Sequence, residues 1–195
     1  MRKTLQALLI TAGLCWGAGA LAAVEIAGVK LEESITVAGT SLQLNGAGIR
    51  YKGPFRVYVG DLYTTRPVKS LDELIAAPGP KRLSMTFLRE INSAEFGKLL
   101  TRGIEDNVSK QELSKIIPGM IKMGDIFAAN KSFAPGDFCT LEWDPAKCLS
   151  IWAKGKLQAE PSNDPVFFRA LMSIWFGQVP ADWKLKDALL GKAPG

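Results

Sequence analysis

The sequence predicts an α+β fold in which an antiparallel sheet carries helices on one face. Three observations lead there. The first 40 or so residues after a leader read as ~40 positions of short alternating strands punctuated by glycine turns. A strand followed by two helices makes up the middle of the chain. One more hairpin and then helices close it.

The elements follow in order. Val24 to Leu31 reads as a hairpin turning near Gly28, and Ser34 to Leu44 as another alternating strand or pair. The run LNGAGIRYKGPFRVYVGDLY, Leu44 to Tyr63, gives a third hairpin turning at Lys52-Gly53-Pro54. Ser70 caps a short helix with Asp72 and Glu73 in its first turn, and Pro78-Gly79-Pro80 stops it. Lys81 to Arg89 alternates as a strand with Leu83, Met85 and Phe87 inward. Asn92-Ser93 caps a helix running to about Asn107, with Phe96, Leu99, Leu100, Gly103 and Ile104 along one stripe. Ser109 with Glu112 forms a capping box for a helix towards Ala129, which Pro118-Gly119 is expected to break or kink. Phe138 to Trp143 and Leu149 to Ala153 make a late hairpin. Asn163-Asp164-Pro165 opens a long helix ending at Gly177, and Lys184 to Leu190 adds a last helical stretch.

Residues 1–22 read as a signal peptide. Met1-Arg2-Lys3 is a basic start, Leu5 to Leu21 is apolar, and Ala20-Leu21-Ala22 is the small-x-small pattern of a cleavage site. Cleavage after Ala22 leaves residues 23–195 as one domain of ordinary size. Cys15 follows Leu14, not the small residue that lipidation requires, so it leaves with the leader. Cys139 and Cys148 remain. If Pro145-Ala146 centre a tight hairpin, Trp143 faces Cys148 and Cys139 lies too far down its strand for a disulfide, so both are expected reduced and half-buried.

Composition excludes several chemistries. Histidine is absent, which removes Ser-His-Asp and Cys-His catalysis and His-based metal sites. No P-loop, dinucleotide fingerprint or carboxylate-rich metal loop is present, and neither a metal nor a cofactor is expected. The 24 Lys and Arg against 19 Asp and Glu are dispersed without a basic run, so nothing points to nucleic acid.

What remains centres on the third hairpin. With a three-residue loop, Tyr51 faces Phe55, Arg50 faces Arg56, and Tyr58 shares their side. A guanidinium and a phenol then converge on one face, a grip suited to a carboxylate or enolate-like oxygen. A two- or four-residue loop puts them on opposite faces. Ordinary chemistry accounts for the same residues, with Arg50 paired to a surface acid and Tyr58 a half-buried strand residue.

Gly48-Ile49-Arg50 followed by Phe55-Arg56-Val57-Tyr58 resembles the "G-[IV]-R" and "KF-x-VY" elements of the chalcone-isomerase-like superfamily. PGDFCTLEWDPAKCLSIWAKGK resembles its "GD-x-x-T-[LF]-[DE]-Y-x-P" hairpin, and Phe167 to Gly177 with Leu185 to Gly191 resembles the ending of bacterial members. The similarity is collinear over nearly all of residues 23–195. It implies an open-faced β-sandwich, a curved antiparallel sheet with a layer of helices on one face and a ligand cleft between them. The signal peptide adds the expectation of an exported, periplasmic protein.

In the plant enzymes of that superfamily, an arginine, a threonine, and a helical tyrosine and asparagine organise ring closure of a chalcone. Arg50 matches the arginine. The threonine position falls on Tyr58, as in the fatty-acid-binding branch, whose arginine and tyrosine hold the ligand carboxylate. The helical pair falls on Phe96 and Gly103, which lack the hydroxyl and the amide. The resemblance therefore implies a ligand site of Arg50, Tyr58, Phe96 and Gly103 that takes a fatty acid or similar amphipathic carboxylate, with no catalytic residue. An isomerase or lyase using Arg50 as electrophile towards an enone, and a scaffold with a vestigial cleft, stay open beside it. The apolar stripe of Phe96 and Gly103 is equally that of a plain core helix.

Overall fold

The computed structural model describes residues 23–160 and 162–192; the leader assigned to residues 1–22 lies outside them. A hairpin of β1 (Ala23–Ile26) and β2 (Val29–Glu32) turns at Ala27-Gly28. Next come β3 (Ser34–Val37), β4 (Thr40–Lys52), β5 (Phe55–Thr64), α1 (Leu71–Ala76) and β6 (Lys81–Phe87). The middle holds β7 (Ile91–Asn92), α2 (Ser93–Glu105), α3 (Lys110–Ala128) and β8 (Ser132–Phe133). Then follow β9 (Phe138–Asp144), β10 (Cys148–Ala153), β11 (Lys156–Leu157), α4 (Pro165–Phe176) and α5 (Trp183–Leu189). Seven strands form a curled antiparallel sheet in the order β11-β10-β9-β6-β5-β4-β3.

The side-chain period of two decides which face carries the helices. In β6, Leu83, Met85 and Phe87 are buried while Arg82, Ser84 and Thr86 are half-buried. Their cross-strand partners Leu62, Gly60 and Tyr58 on one side, and Leu141 and Cys139 on the other, continue the same face. Above it lie Phe96, Leu100 and Ile104 of α2 and almost all of α4, where every residue from Phe167 to Phe176 except Arg169 is buried. Such all-round burial marks α4 as the helix in the middle of the layer.

The capping signals behave as the residue chemistry requires. Ser109 Oγ accepts from the Glu112 N–H at 3.2 Å, and Glu112 accepts from the Ser109 N–H at 3.0 Å. Asp164 caps α4 with Pro165 at its start. Two expectations need correction. Of the two outcomes expected at Pro118-Gly119, a break or a kink, the break does not occur: α3 runs from Lys110 to Ala128 as one helix. At that point α3 is pressed onto α4, since a Cβ at Gly119 would lie 2.6 Å from the Phe167 ring, and tertiary packing of this kind overrides local propensity. The late hairpin also turns one residue later than expected, pairing Asp144 with Cys148 and Trp143 with Leu149. Cys139 then pairs with Ala153, five residues along the strand from Asp144. Both thiols are free, and Cys139 is fully buried, not half-buried, which pushes its thiol up to about 12.

The sheet's other face hides a carboxyl. Asp61 is 4 % exposed and stands in a cross-strand row with Ser84 and Thr140. Neighbouring Arg82 is engaged with Glu142 at 2.7 Å. Burial outweighs the help from Ser84 and Arg82 and pushes the Asp61 carboxyl up to about 7. Between about pH 4 and pH 7 the native state holds a proton that the unfolded state has released, so this group lowers stability as pH rises. The penalty is absent below that window and complete above it. Asp61→Asn should therefore be more stable than wild type at pH 8 and converge with it near pH 4. At ~1.4 kcal/mol per pH unit the gap is at most about 4 kcal/mol. Urea unfolding across that range checks this, and parallel wild-type and variant curves would refute it.

Candidate functional site

Arg50 and Tyr58 meet, but not by the expected route. The β4–β5 turn holds two residues, Gly53-Pro54, with Lys52 paired to Phe55 and Tyr51 to Arg56. Continued regularly, that register would set Arg50 and Tyr58 on opposite faces. A β-bulge follows instead: Val57 is the extra residue, and Arg50 pairs directly with Tyr58. The Val57 carbonyl accepts from the Leu88 N–H at 2.9 Å, just beyond β6.

The same face continues along β4 and β5 as Gly48 opposite Gly60 and Gly46 opposite Leu62. These glycines seat α5. A Cβ at Gly46 would stand 2.0 Å from the Ala188 carbonyl oxygen, and one at Gly48 would stand 2.7 Å from the Ala188 Cβ. The helix seated there brings Asp182 to the hairpin. One carboxylate oxygen caps α5 by accepting from the Lys184 N–H at 2.8 Å. The other accepts from the Tyr51 N–H at 2.9 Å. Arg50 is half-buried, and its guanidinium donates to the Tyr51 carbonyl. Among the described residues it forms no ion pair. Asp182 was missed in the sequence, although an aspartate just before a helical stretch is a capping signal.

Tyr58 is 4 % exposed, and its hydroxyl accepts from the Trp175 indole N–H at 2.8 Å. That bond uses an acceptor site and leaves the phenolic proton free to donate. Burial pushes the Tyr58 hydroxyl up to about 12, against the smaller opposing effects of Trp175 and Arg50. At ordinary pH the group is a donor, not a base. Trp175 gives no sign of this role in the sequence, where it sits in an apolar run.

Arg50, Tyr58, Phe96 and Gly103 all line one cavity of about 480 Å³ between sheet and helices. Phe96 is buried within an aromatic cluster, edge-on to Phe87 at 5.2 Å and to Phe127 at 5.4 Å. Gly103 serves a second purpose, since a Cβ there would stand 3.0 Å from Ile174, where α2 crosses α4. Leu100 and Ile174 extend the apolar wall. The cavity thus combines a forked cation and a neutral hydroxyl with the apolar side chains of Phe96, Leu100 and Ile174, and the charged side chains of Lys52, Arg89, Glu95, Arg102 and Asp106 line it as well. Leu99, expected inward, is 48 % exposed and lies at the mouth.

A curled antiparallel sheet with helices over one face and a cleft between the layers defines an α+β ligand-cleft architecture. Residues 23–191 match the family model described as chalcone isomerase-like, and the chain belongs to that family. Among solved structures it is similar to a fatty-acid binding protein from Arabidopsis thaliana at 15 % identity. The match has a TM-score of 0.66 and covers 87 % of this chain and 96 % of that one, a likeness of fold. No curated protein sequence matches the chain.

The glycine seat gives a direct test. Gly46→Ala forces α5 away from backbone contact and should destabilise the protein by about 1–3 kcal/mol. Gly124, in α3 with nothing within 4 Å of its would-be Cβ, is the contrast. Gly124→Ala should stabilise by about 0.5–1 kcal/mol through helix propensity. Thermal or urea melts of the two variants read opposite signs; equal effects would refute the seat.

Proposed function

We propose that this protein is an exported, non-catalytic carrier or receptor for a fatty acid or similar amphipathic carboxylate. The observation that carries this reading is the juxtaposition of Arg50 and Tyr58, cross-strand partners that line the same cavity as the apolar Phe96, Leu100 and Ile174. A carboxylate there meets a guanidinium that forms no ion pair among the described residues and a hydroxyl that already accepts from Trp175. The alkyl chain runs along Phe96, Leu100 and Ile174 and past the open side of Gly103. A volume of about 480 Å³ lies within the roughly 300–1,000 Å³ of small-ligand sites. The similarity to a protein described as fatty-acid binding supports the same ligand class.

Ring closure of a chalcone is disfavoured on chemical grounds. Phe96 brings no hydroxyl and Gly103 no amide to the wall where a phenolate would be held, and Tyr58 remains protonated. Neither a metal nor a cofactor enters this reading, and no protein partner is needed for it.

Titration calorimetry of delipidated protein with a medium- or long-chain fatty acid tests the site. Arg50→Ala should weaken binding by about 1.5–3 kcal/mol, the range for a hydrogen bond to a charged group. Tyr58→Phe should cost about 0.5–3 kcal/mol in affinity. It should also destabilise the fold, because it orphans the buried Trp175 N–H, whereas Arg50→Ala should leave the melt unchanged. The double variant should be non-additive, since both groups hold one headgroup. Equal affinity in wild type and Arg50→Ala would make Arg50 structural and favour the scaffold reading.

Export rests on the basic start, the apolar run and the Ala20-Leu21-Ala22 site. Protein recovered from the periplasm should begin at or within two residues of Ala23. N-terminal sequencing that retains Leu5 to Leu21, with the protein in the membrane fraction, would refute this.

A further inference from the structure

We propose that the rim of the cavity is a docking surface for an anionic lipid bilayer, so that an apolar-tailed ligand passes between cleft and membrane without crossing water. The geometry stands by itself, while the purpose rests on the ligand reading above. Three separate elements place exposed apolar side chains at the mouth: Phe55 from the β4–β5 hairpin, Leu99 from α2 and Val179 from the segment after α4. They are 58 %, 48 % and 55 % exposed. Exposed apolar groups gathered round one opening carry more information than the same groups scattered singly.

Charge selects the occupant. Lys52, Arg89 and Arg102 share the rim and are exposed. Its two carboxylates are already accompanied, Glu95 by Lys98 at 2.9 Å and Asp106 by Arg102 at 4.0 Å. Among the described residues, Lys52 and Arg89 form no ion pair. The Arg89 guanidinium lies 5.1 Å over the Phe55 ring. A second such pair stands beside the hairpin, where Lys186 lies 4.8 Å over the exposed Trp183, next to the Asp182 that holds the Tyr51 N–H. Aromatic tips beside cations suit a bilayer interface: the ring enters the acyl boundary and the cation stays among anionic headgroups. No helix among the described residues is long and apolar enough to cross a membrane, so the contact is a surface one.

Vesicle flotation of the delipidated full chain tests this, using phosphatidylcholine vesicles with and without phosphatidylglycerol. Wild type should float with the anionic vesicles only, and less as salt is raised. Lys52→Glu with Arg89→Glu should lower the bound fraction about tenfold or more, and Phe55→Ser should lower it as well. Lys147→Glu, in the exposed β9–β10 turn at the other end of the strands, should leave flotation unchanged. Matching thermal melts would show that the variants fold. No flotation of wild type, equal flotation on both vesicle types, or flotation unaffected by the rim substitutions overturns the docking surface, even where calorimetry finds fatty-acid binding. Flotation as expected with no fatty-acid affinity would keep the surface and overturn the ligand reading, so the two fail separately.

Discussion

One extra residue in β5 holds the site together. The two-residue turn at Gly53-Pro54 starts the hairpin in a register that separates Arg50 from Tyr58, and the bulge at Val57 reverses it within a few positions. Because strand side chains alternate faces, this single insertion decides which side every residue from Tyr58 to Leu62 presents. It turns Tyr58 towards the helices and Gly60 towards α5. The Leu88 N–H holds the carbonyl of the extra residue, Val57.

Much of this was legible in the chain, and the reason is local chemistry. Ser70, Asn92, Ser109 and Asp164 mark helix starts because a side-chain oxygen there accepts a backbone N–H that the helix leaves free. Leu83, Met85 and Phe87 declare the buried face of β6 by alternation alone. What resisted was set at a distance. Pro118 is a helix breaker by propensity, yet α3 continues through it, beside the point where Gly119 packs against the Phe167 ring. The short strands β7, β8 and β11 have two residues each and carry no periodic signal.

The site shows the same division. A three-residue turn would put Arg50 and Tyr58 on one face and a two-residue turn on opposite faces; the turn has two residues, and the bulge produces the pairing instead. Gly46 and Gly48 stand in the same run of sequence as Arg50. In the structure they are the bed of α5, cut to fit Ala188. Through that bed, residues near the C-terminus deliver Asp182 to the hairpin. Trp175 and Asp182 lie over a hundred residues from the hairpin they contact, beyond the reach of pattern reading.

The bond between Trp175 and Tyr58 bears on how such a cleft persists over evolutionary time. A buried indole N–H without an acceptor is costly, so the phenolic oxygen is retained for folding whether or not anything binds beside it. Selection on stability alone would preserve half of the polar end. A lineage that lost its ligand would keep this tyrosine long after the half-buried arginine had drifted. Across relatives, the informative residue is therefore the half-buried Arg50, and the more deeply buried partner is the poorer witness to function.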